Sequence, residues 1–301
     1  MLAPDIPSPF TVAIAAPAKI NLSLRIIGKR PDGYHQLESL MLKLKLADRL
    51  LLKNREDDRL LFTCGGELGE LLPADENNLV VRAARAFFAH TGRPAGVELR
   101  LEKKVPVAAG LGGGSSDAAA ALLGLNKLLE TGLSRAELAA LARPLGADVP
   151  FFVQPAAAAW AEGIGEILTE AATPKLGWIL LVNPGFAVST QWVYQNFRLT
   201  TGHDPFILGR PMHPANSAGS REKKWLGQLV NDLESVTLAR YPELGRIKEE
   251  LAASGADGAL MSGSGPTVFG LFADRATAEQ CLEKMQARYP HVFLTRPLAL
   301  D

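Results

Sequence analysis

A glycine-rich segment at residues 106–117, PVAAGLGGGSSD, constrains this chain of 301 residues more than any other feature. It lies between a predicted strand over residues 97–103 and a predicted Ala/Leu helix over 118–129. Four glycines within five positions allow backbone N–H groups to approach an anion closely, and two serines follow at the helix entrance. Because the first N–H groups of a helix lack intrahelical partners and the helix dipole favours negative charge there, the segment predicts a phosphate-binding loop.

The glycine spacing excludes two common nucleotide-binding motifs. A Walker loop requires Gly-Lys followed by Ser or Thr, which the sequence does not contain. The dinucleotide fingerprint G-x-G-x-x-G would require glycine at 115 after Gly110 and Gly112, where Ser115 stands instead. A flexible strand-to-helix turn is the alternative interpretation, and the two serines at the helix entrance favour the phosphate loop over it.

The balance of charge argues against polymeric or membrane-bound partners. Lys and Arg number 32, and Asp and Glu also number 32, so the formal net charge is zero. Proteins that bind nucleic acids or anionic membranes usually carry a basic excess, because each phosphate contact needs a cation. No apolar run approaches the roughly 18 residues of a membrane span, and the start of the chain lacks a signal-peptide pattern. These features predict a cytoplasmic protein with small-molecule partners. The sequence leaves open whether the protein is a monomer or a homodimer.

The first clear strand pattern covers residues 18–26. Apolar and polar residues alternate strictly over these nine positions, which predicts a half-buried strand. The alternation places Lys19 and Asn21 together on the polar face. A turn is predicted at residues 28–33, which contain a proline and two glycines.

The C-terminal part of the chain has a different pattern. Predicted elements are a strand over 178–182, helices within 225–253, strands over 259–261 and 267–272, a helix over 274–288 and a strand over 292–295. The order β-α-β-β-α-β is that of a ferredoxin-like, split βαβ domain. Residues 200–224 show no periodicity, which predicts a functional lid or a disordered loop.

Further short motifs accompany the glycine-rich loop along the chain. They are PAKINL at 17–22, PDGYH at 31–35, NL at 78–79, GADVP at 146–150, GIGEI at 163–167 and GSG at 263–265. Together with the loop they resemble the GHMP small-molecule kinases, the family of galactokinase, homoserine kinase and mevalonate kinase, over nearly the full length. The resemblance implies a two-domain α+β fold: an N-terminal domain at 1–173 similar to domain 2 of ribosomal protein S5, and a ferredoxin-like C-terminal domain at 174–301.

The resemblance also implies an enzyme that phosphorylates an alcohol with ATP and Mg²⁺. The residues that match the family's ATP site are Asn78, Lys103, Pro106, Val107, Ala108, Ala109, Gly110, Leu111, Gly112, Gly113, Gly114, Ser115 and Ser116. Either Ser115 or Ser116 would reach Mg²⁺ through the bound nucleotide. The family loop has glycines where Ala108 and Ala109 stand, and the segment at 200–224 is longer than in the family.

Lys19 and Asp148 are the catalytic residues that the resemblance implies. By pattern alone, Asp148 caps a local turn between Gly146 and a proline that disfavours helix at Val149, and Lys19 is an exposed strand lysine. The resemblance instead implies that Asp148 is the catalytic base and that Lys19 stabilises both it and the transferred phosphoryl group. Two opposite charges about 4 Å apart attract by about 4 kcal/mol at an effective dielectric near 20.

The form of the loop, GLGGGSS, is similar to that of family members whose substrate is a cytidyl diphosphate alcohol, phosphorylated on its 2-hydroxyl. That resemblance implies that Tyr34 stacks on cytosine, that His35 hydrogen-bonds to it and that Tyr194 faces it from the other side. Asn21 would hydrogen-bond to the substrate from the strand that also carries the catalytic lysine. The GSG segment at 263–265 either approaches the substrate diphosphate or forms only a tight hairpin.

Two other functions remain open from the sequence. A kinase of the same family acting on homoserine or mevalonate would share the loop, but would have no use for an aromatic ring and an imidazole suited to a nucleobase. A non-catalytic nucleotide-binding regulator would be free to lose Lys19 and Asp148, and both are present. These features favour the kinase with a cytidyl substrate.

Overall fold

The computed structural model describes residues 11–66, 68–69, 75–93, 96–198 and 229–299. Strands within them are β1 (Thr11–Lys29), β2 (His35–Asn54), β3 (Leu60–Gly65), β4 (Val97–Glu102), β5 (Ala158–Gly163), β6 (Ile167–Ala171), β7 (Trp178–Asn183), β8 (Val230–Asn231), β9 (Gly258–Met261), β10 (Val268–Phe272) and β11 (His291–Thr295). Helices are α1 (Leu79–Thr91), α2 (Gly113–Leu128), α3 (Arg135–Ala142), α4 (Val149–Val153), α5 (Thr190–Asn196), α6 (Glu234–Arg240), α7 (Glu243–Ala253) and α8 (Arg275–Gln286). None of these helices is long and apolar enough to cross a membrane. The predicted lid or disordered loop at 200–224 lies outside the described residues.

The described residues divide into two compact units, each assembled from separated segments of the chain. The first unit contains residues 11–19, 43–156 and 298–299, and the second contains 20–42, 157–198 and 229–297. Strands β1 and β2 therefore contribute residues to both units. A domain boundary at a single point, between the predicted domains 1–173 and 174–301, stays a prediction.

The first unit places the glycine-rich loop between a sheet strand and a packed helix. Strand β2 pairs antiparallel with β4, Leu50 lying opposite Leu101, and β4 pairs parallel with β3. Helix α2 packs closely on β2, since a Cβ atom at Gly124 would lie 2.5 Å from Leu52 Cδ1. The strand before the loop and the helix after it are thereby supported by the same strand.

The second unit contains the predicted ferredoxin-like sheet. Its four strands pair antiparallel in the order β11-β7-β10-β9, with α7 before β9 and α8 between β10 and β11. The core of this unit includes the fully buried Leu180, Ile247 and Leu251. This is the strand order of a β-α-β-β-α-β domain, so the predicted C-terminal architecture is confirmed. Elsewhere in the unit, β2 pairs antiparallel with β5, β5 with β6, and β1 pairs parallel with β8.

Strand β1 is longer than predicted and is buried on its polar side as well. Lys19 and Asn21 are only 5% and 4% exposed, so the prediction of a half-buried strand is wrong over this part. The buried polar groups have partners: Asn21 Nδ2 donates to Ser39 Oγ at 2.8 Å, and Ser39 Oγ donates to the carbonyl of Ser23 at 2.6 Å. Alternation predicts which residues share a face, but it does not show whether neighbouring elements cover that face.

Candidate active site

The glycine-rich loop leads directly into helix α2, which begins at Gly113 rather than at the predicted Ala118. Gly110 and Gly112 adopt positive φ angles of 74° and 68°, which few side chains tolerate. The prediction placed the helix start too late because glycine and serine have low helix propensity, which hid the first turn in the pattern. The loop glycines and the first N–H groups of α2 are therefore adjacent in the backbone, as an anion-binding loop requires.

Ala108 also adopts the left-handed conformation, with φ 51°. The family resemblance implies a glycine here, and a residue with a Cβ atom is disfavoured in this region by about 1–2 kcal/mol. Such strain persists only where the surrounding structure holds the backbone in place. The loop is thus held in its shape even where its sequence departs from the family.

Gly112 is the point at which the loop touches the predicted catalytic lysine. A Cβ atom at 112 would lie 2.9 Å from Phe152 Cζ and 3.0 Å from Lys19 Cγ. The backbone N–H of Lys19 donates to the carbonyl oxygen of Leu111 at 2.9 Å. The loop is therefore anchored to β1 at the residue that carries the ammonium group.

Ser115 and Ser116 lie in the first turn of α2 and differ in burial. Ser115 is half-buried, whereas Ser116 is buried and its hydroxyl has no hydrogen-bond partner within the described part of the chain. No group of three or more His, Cys, Asp or Glu side chains among the described residues could hold a metal ion. Of the two hydroxyls predicted to reach Mg²⁺, that of Ser115 is the more accessible.

Lys103, predicted to line the ATP site, is buried together with two carboxylates that the sequence did not reveal. Its Nζ bonds to Asp48 Oδ2 and lies 2.9 Å from Asp117 Oδ2. Burial raises the pKa of Asp117 well above its ordinary value; the charge of Lys103 opposes this rise, and that of Asp48 adds to it. The ammonium is thus engaged inside the protein, and its contact with ATP stays a prediction.

Lys19 and Asp148, 129 positions apart in the sequence, are brought together. Lys19 Nζ lies 3.6 Å from Asp148 Oδ2, and the Asp148 side chain is 33% exposed. Asp148 precedes α4, but within the described chain its side chain makes no capping hydrogen bond, so the local-cap interpretation is not observed. The predicted break at Val149 is wrong, because Val149 begins α4 and a proline is tolerated in the first turn of a helix.

Two cations fix the opposite end of α4. Arg135 Nη1 donates to the carbonyl of Val153 at 2.6 Å, and Lys43 Nζ donates to the carbonyl of Gln154 at 2.5 Å. Cations near the last carbonyls of a helix interact favourably with its dipole. The short helix that begins beside Asp148 is therefore held at its far end by two side chains.

Lys43 is buried, and this gives it an unusual titration. Burial, with a smaller contribution from the nearby charge of Arg135, lowers the pKa of Lys43 to about 8. The pKa of a lysine in the unfolded chain is near 10.5. Below about pH 8 both states are protonated and the folded state carries the full penalty of a buried charge, whereas above about pH 10.5 both are neutral.

Replacing Lys43 with methionine is expected to remove a rise in stability between about pH 8 and pH 10.5. In that interval the unfolded chain binds more protons than the folded one, so Lys43 adds up to about 1.4 kcal/mol per pH unit to the free energy of unfolding. Urea unfolding near pH 8 and near pH 10.5 measures this rise in the free energy of unfolding. The control variant is Lys45→Met, because Lys45 is exposed. Equal pH slopes in the natural protein and the Lys43→Met variant would contradict the expectation.

The second unit holds the aromatic residues predicted to recognise a nucleobase. Tyr34 is 61% exposed at the turn between β1 and β2, and its backbone N–H donates to Asp32 Oδ1 at 3.2 Å. His35 is buried, with its ring centre 5.6 Å from that of Tyr194 and 5.8 Å from that of Phe197. The structure therefore groups His35 with Tyr194, as predicted residues, and adds Phe197. No sequence signal pointed to Phe197, because it lies at the end of α5, far from His35 along the chain.

His35 has the chemistry of a neutral hydrogen-bonding group. Burial lowers the pKa of its imidazole, and the charge of Lys29 lowers it further. A neutral imidazole donates from one nitrogen and accepts at the other, whereas an imidazolium only donates. A neutral His35 can therefore either accept a hydrogen bond from a donor on a base edge or donate one to an acceptor.

Two asparagines predicted to bind ligands also have structural roles. Asn78 caps α1 through a hydrogen bond from the N–H of Val80 to its Oδ1 at 2.9 Å. Asn21 is buried and bonded to Ser39 in the second unit. Contact of either asparagine with a ligand stays a prediction.

The GSG segment at 263–265 forms a buried tight turn between β9 and β10. The N–H of Gly265 donates to the carbonyl of Ser262 at 2.9 Å, which closes the turn. Asn231 Nδ2 donates to the carbonyl of Gly263 at 2.8 Å. These bonds fit the hairpin interpretation, and contact with a diphosphate stays a prediction.

Known proteins are similar to this chain over most of its length. The family model "GHMP kinases N terminal domain" matches residues 78–155, and "GHMP kinases C terminal" matches residues 218–291. A 4-diphosphocytidyl-2-C-methyl-D-erythritol kinase of Syntrophotalea carbinolica is 46% identical over 273 residues, which cover 91% of this chain and 94% of the relative. The chain belongs to the GHMP kinase family.

Solved structures similar to this GHMP kinase align with nearly all of its residues. A crystal structure of 4-(cytidine 5'-diphospho)-2C-methyl-D-erythritol kinase has a TM-score of 0.78 and 34% identity, covering 96% of this chain and all of that one. The homoserine kinase of Cytophaga hutchinsonii has a TM-score of 0.73 at 18% identity, with 98% of each chain covered, and shares the fold. The predicted two-domain α+β fold and the kinase class, with its use of ATP, are confirmed.

Proposed function

We propose that this GHMP kinase transfers the γ-phosphoryl group of ATP to the 2-hydroxyl of 4-diphosphocytidyl-2-C-methyl-D-erythritol. The products are the 2-phosphate and ADP, in the non-mevalonate route to isoprenoid precursors. The observation that carries the proposal is the grouping of a neutral His35 with Tyr194 beside the exposed Tyr34, because a homoserine or mevalonate kinase has no use for a base-binding site. The 46% identity to a relative of that activity supports the same substrate.

The proposed ATP site is the loop and the first turn of α2. Backbone N–H groups at residues 110–116 and the helix dipole would bind the phosphates without needing a basic surface. Bound Mg²⁺ supplies charge neutralisation at the phosphate oxygens, and Ser115 is the side chain proposed to hold it. This arrangement is consistent with a net charge of zero in a protein whose ligands are strongly anionic.

Asp148 is the proposed base, and Lys19 is its proposed partner. The hydroxyl oxygen of the substrate forms a bond to the γ-phosphorus, the bond from that phosphorus to the bridging oxygen of ADP breaks, and the hydroxyl proton passes to the Asp148 carboxylate. Lys19, 3.6 Å from that carboxylate, holds its orientation and stabilises charge on the transferred oxygens. The exposure of Asp148 allows a substrate to reach it.

The cytosine end of the substrate is assigned to the second unit. Tyr34 would stack on the base, and His35 would pair with its edge. Tyr194 and Phe197 both pack near the imidazole, at ring-centre distances of 5.6 and 5.8 Å. With these soluble ligands, the enzyme is proposed to act in the cytoplasm, as a monomer or a homodimer, without nucleic-acid or membrane partners.

Replacing Tyr34 with alanine is expected to raise KM for the cytidyl substrate by about 5–150-fold, because base stacking contributes about 1–3 kcal/mol. KM for ATP is expected to stay within about 2-fold, since 2-fold corresponds to only about 0.4 kcal/mol. Steady-state kinetics in both substrates measures this split, and Tyr34→Phe, which keeps the ring, is the matched control. Equal changes in the two KM values would contradict the role of Tyr34.

Product analysis tests the proposed position of phosphorylation. Incubation of the enzyme with ATP, Mg²⁺ and the cytidyl substrate is expected to give one new phosphomonoester, which phosphorus and carbon NMR assign to the 2-position. A phosphate on another hydroxyl, or no product, would contradict the proposal.

A further inference from the structure

We infer that Lys103 and Asp117, together with Asp48, are positioning residues that tie the two ends of the ATP phosphate loop to each other. The inference rests on the proposed binding of ATP phosphates at this loop. The three side chains form one buried cluster below it, with Lys103 Nζ bonded to both carboxylates. We call this group the loop clamp.

The loop clamp holds the backbone where the loop begins. Asp48, on β2, accepts hydrogen bonds at Oδ1 from the N–H of Lys104 at 2.6 Å and of Val105 at 2.9 Å. These two amides come directly before Pro106. The entrance of the loop is therefore bound to the sheet by a charged acceptor, and such bonds are about twice as strong as those between neutral groups.

The loop clamp also holds the backbone where the loop ends. Lys103 Nζ lies 2.9 Å from Oδ2 of Asp117, near the start of α2. The same Nζ would lie 3.1 Å from a Cβ atom at Gly113, so glycine at the first position of α2 lets the ammonium lie against the helix. The chain from 106 to 112 thus runs between two points that one buried cluster connects.

The buried position of Lys103 favours a role in supporting the phosphate loop over direct contact with ATP. The Lys103 side chain is 2% exposed and bonds to two carboxylates, so a phosphate would have to displace both to reach it. The loop between the held ends contains three positive φ angles, at Ala108, Gly110 and Gly112. Ordering such a backbone on each binding event weakens affinity, and fixing its ends beforehand reduces that loss.

The test compares Asp117→Ala with Asp117→Asn. Alanine removes the tie to α2 but leaves Lys103 and Asp48 as a neutral pair, so the variant is expected to fold. Asparagine keeps an acceptor oxygen for Lys103. We expect Asp117→Ala to speed hydrogen exchange of amides in residues 106–116 and to raise Kd for MgADP, each by about 10-fold or more. Asp117→Asn is expected to restore most of both.

Two controls separate positioning from general destabilisation. Binding of CDP is expected to keep its Kd within about 2-fold in Asp117→Ala, since 2-fold is only about 0.4 kcal/mol. Glu234 has matching chemistry in the second unit, accepting from Lys248 Nζ at 2.6 Å and from the N–H of Met261 at 2.8 Å. Glu234→Ala is expected to leave exchange in the loop unchanged. If Asp117→Ala does not fold, Asp48→Asn weakens the entrance bonds and is expected to speed loop exchange as well.

Unchanged loop exchange in Asp117→Ala would overturn the inference. Tighter binding of MgADP by that variant would also overturn it, because a Lys103 released from Asp117 would then be binding phosphate directly. Failure of the proposed function is distinguishable, since the exchange measurement needs no catalysis. A protein whose loop responds as expected, but which phosphorylates no cytidyl substrate, would keep the loop clamp and lose the proposed function.

Discussion

Replacing Asp148 with asparagine is expected to lower kcat by about 10²–10⁴-fold, the usual contribution of a positioned acid or base. Asparagine has nearly the same shape, but it cannot take the hydroxyl proton. The fold should be kept, because the Asp148 side chain makes no capping hydrogen bond to the described residues that follow it. Affinities for MgADP and CDP are expected to remain near those of the natural enzyme, since neither ligand carries the reacting hydroxyl.

Single-turnover kinetics of Asp148→Asn measures this loss independently of product release. Asp274→Asn is the matched control, because Asp274 is a carboxylate that accepts from the N–H of Thr277 as the cap of α8. Asparagine is an equally good cap, so that variant is expected to keep its full kcat. Turnover of Asp148→Asn near that of the control would remove Asp148 from the role of base.

Replacing Gly112 with alanine is expected to lower kcat/KM for ATP by about 30–1000-fold, which corresponds to about 2–4 kcal/mol. The first contribution is the positive φ of 68°, which disfavours a Cβ atom by about 1–2 kcal/mol. The second is steric, because the new atom would lie 2.9 Å from Phe152 Cζ and 3.0 Å from Lys19 Cγ. Relief of either contact moves the loop or the side chain of the proposed catalytic lysine.

Gly92→Ala is the control for the cost of a Cβ atom at a positive φ without a steric contact. Gly92 follows α1 with a φ of 65°, and a Cβ atom there would meet nothing within 4 Å. This variant is expected to lose about 1–2 kcal/mol in the free energy of unfolding and to keep its kcat/KM. Similar kinetics of Gly112→Ala and Gly92→Ala would show that the contact between the loop and Lys19 has no role in the reaction.

The sequence predicted the position of the loop between β4 and α2, because glycines and serines at a strand-to-helix junction have direct consequences for the backbone. It placed the start of α2 at Ala118 rather than Gly113, since the residues of the first turn are poor helix formers. Tertiary packing of α2 on the sheet extends the helix through them. Local preference was therefore a poor guide where packing decided the conformation.

Long-range contacts were the least predictable part of the site. The approach of Lys19 to Asp148 was expected only from the family resemblance, because nothing local connects them. The pairing of Lys103 with Asp48 spans 55 positions and had no sequence signal. Only the folded sheet brings Asp48 to the start of the loop, where it pairs with the buried Lys103.

Release of ADP tests the central proposal most directly. The purified enzyme, with ATP and Mg²⁺, is supplied in turn with 4-diphosphocytidyl-2-C-methyl-D-erythritol, mevalonate and homoserine. We expect one ADP for each molecule of the cytidyl substrate. With mevalonate or homoserine, we expect ADP to be released no faster than in the absence of any acceptor. Background release with the cytidyl substrate, or faster turnover of mevalonate or homoserine, would contradict the proposed function.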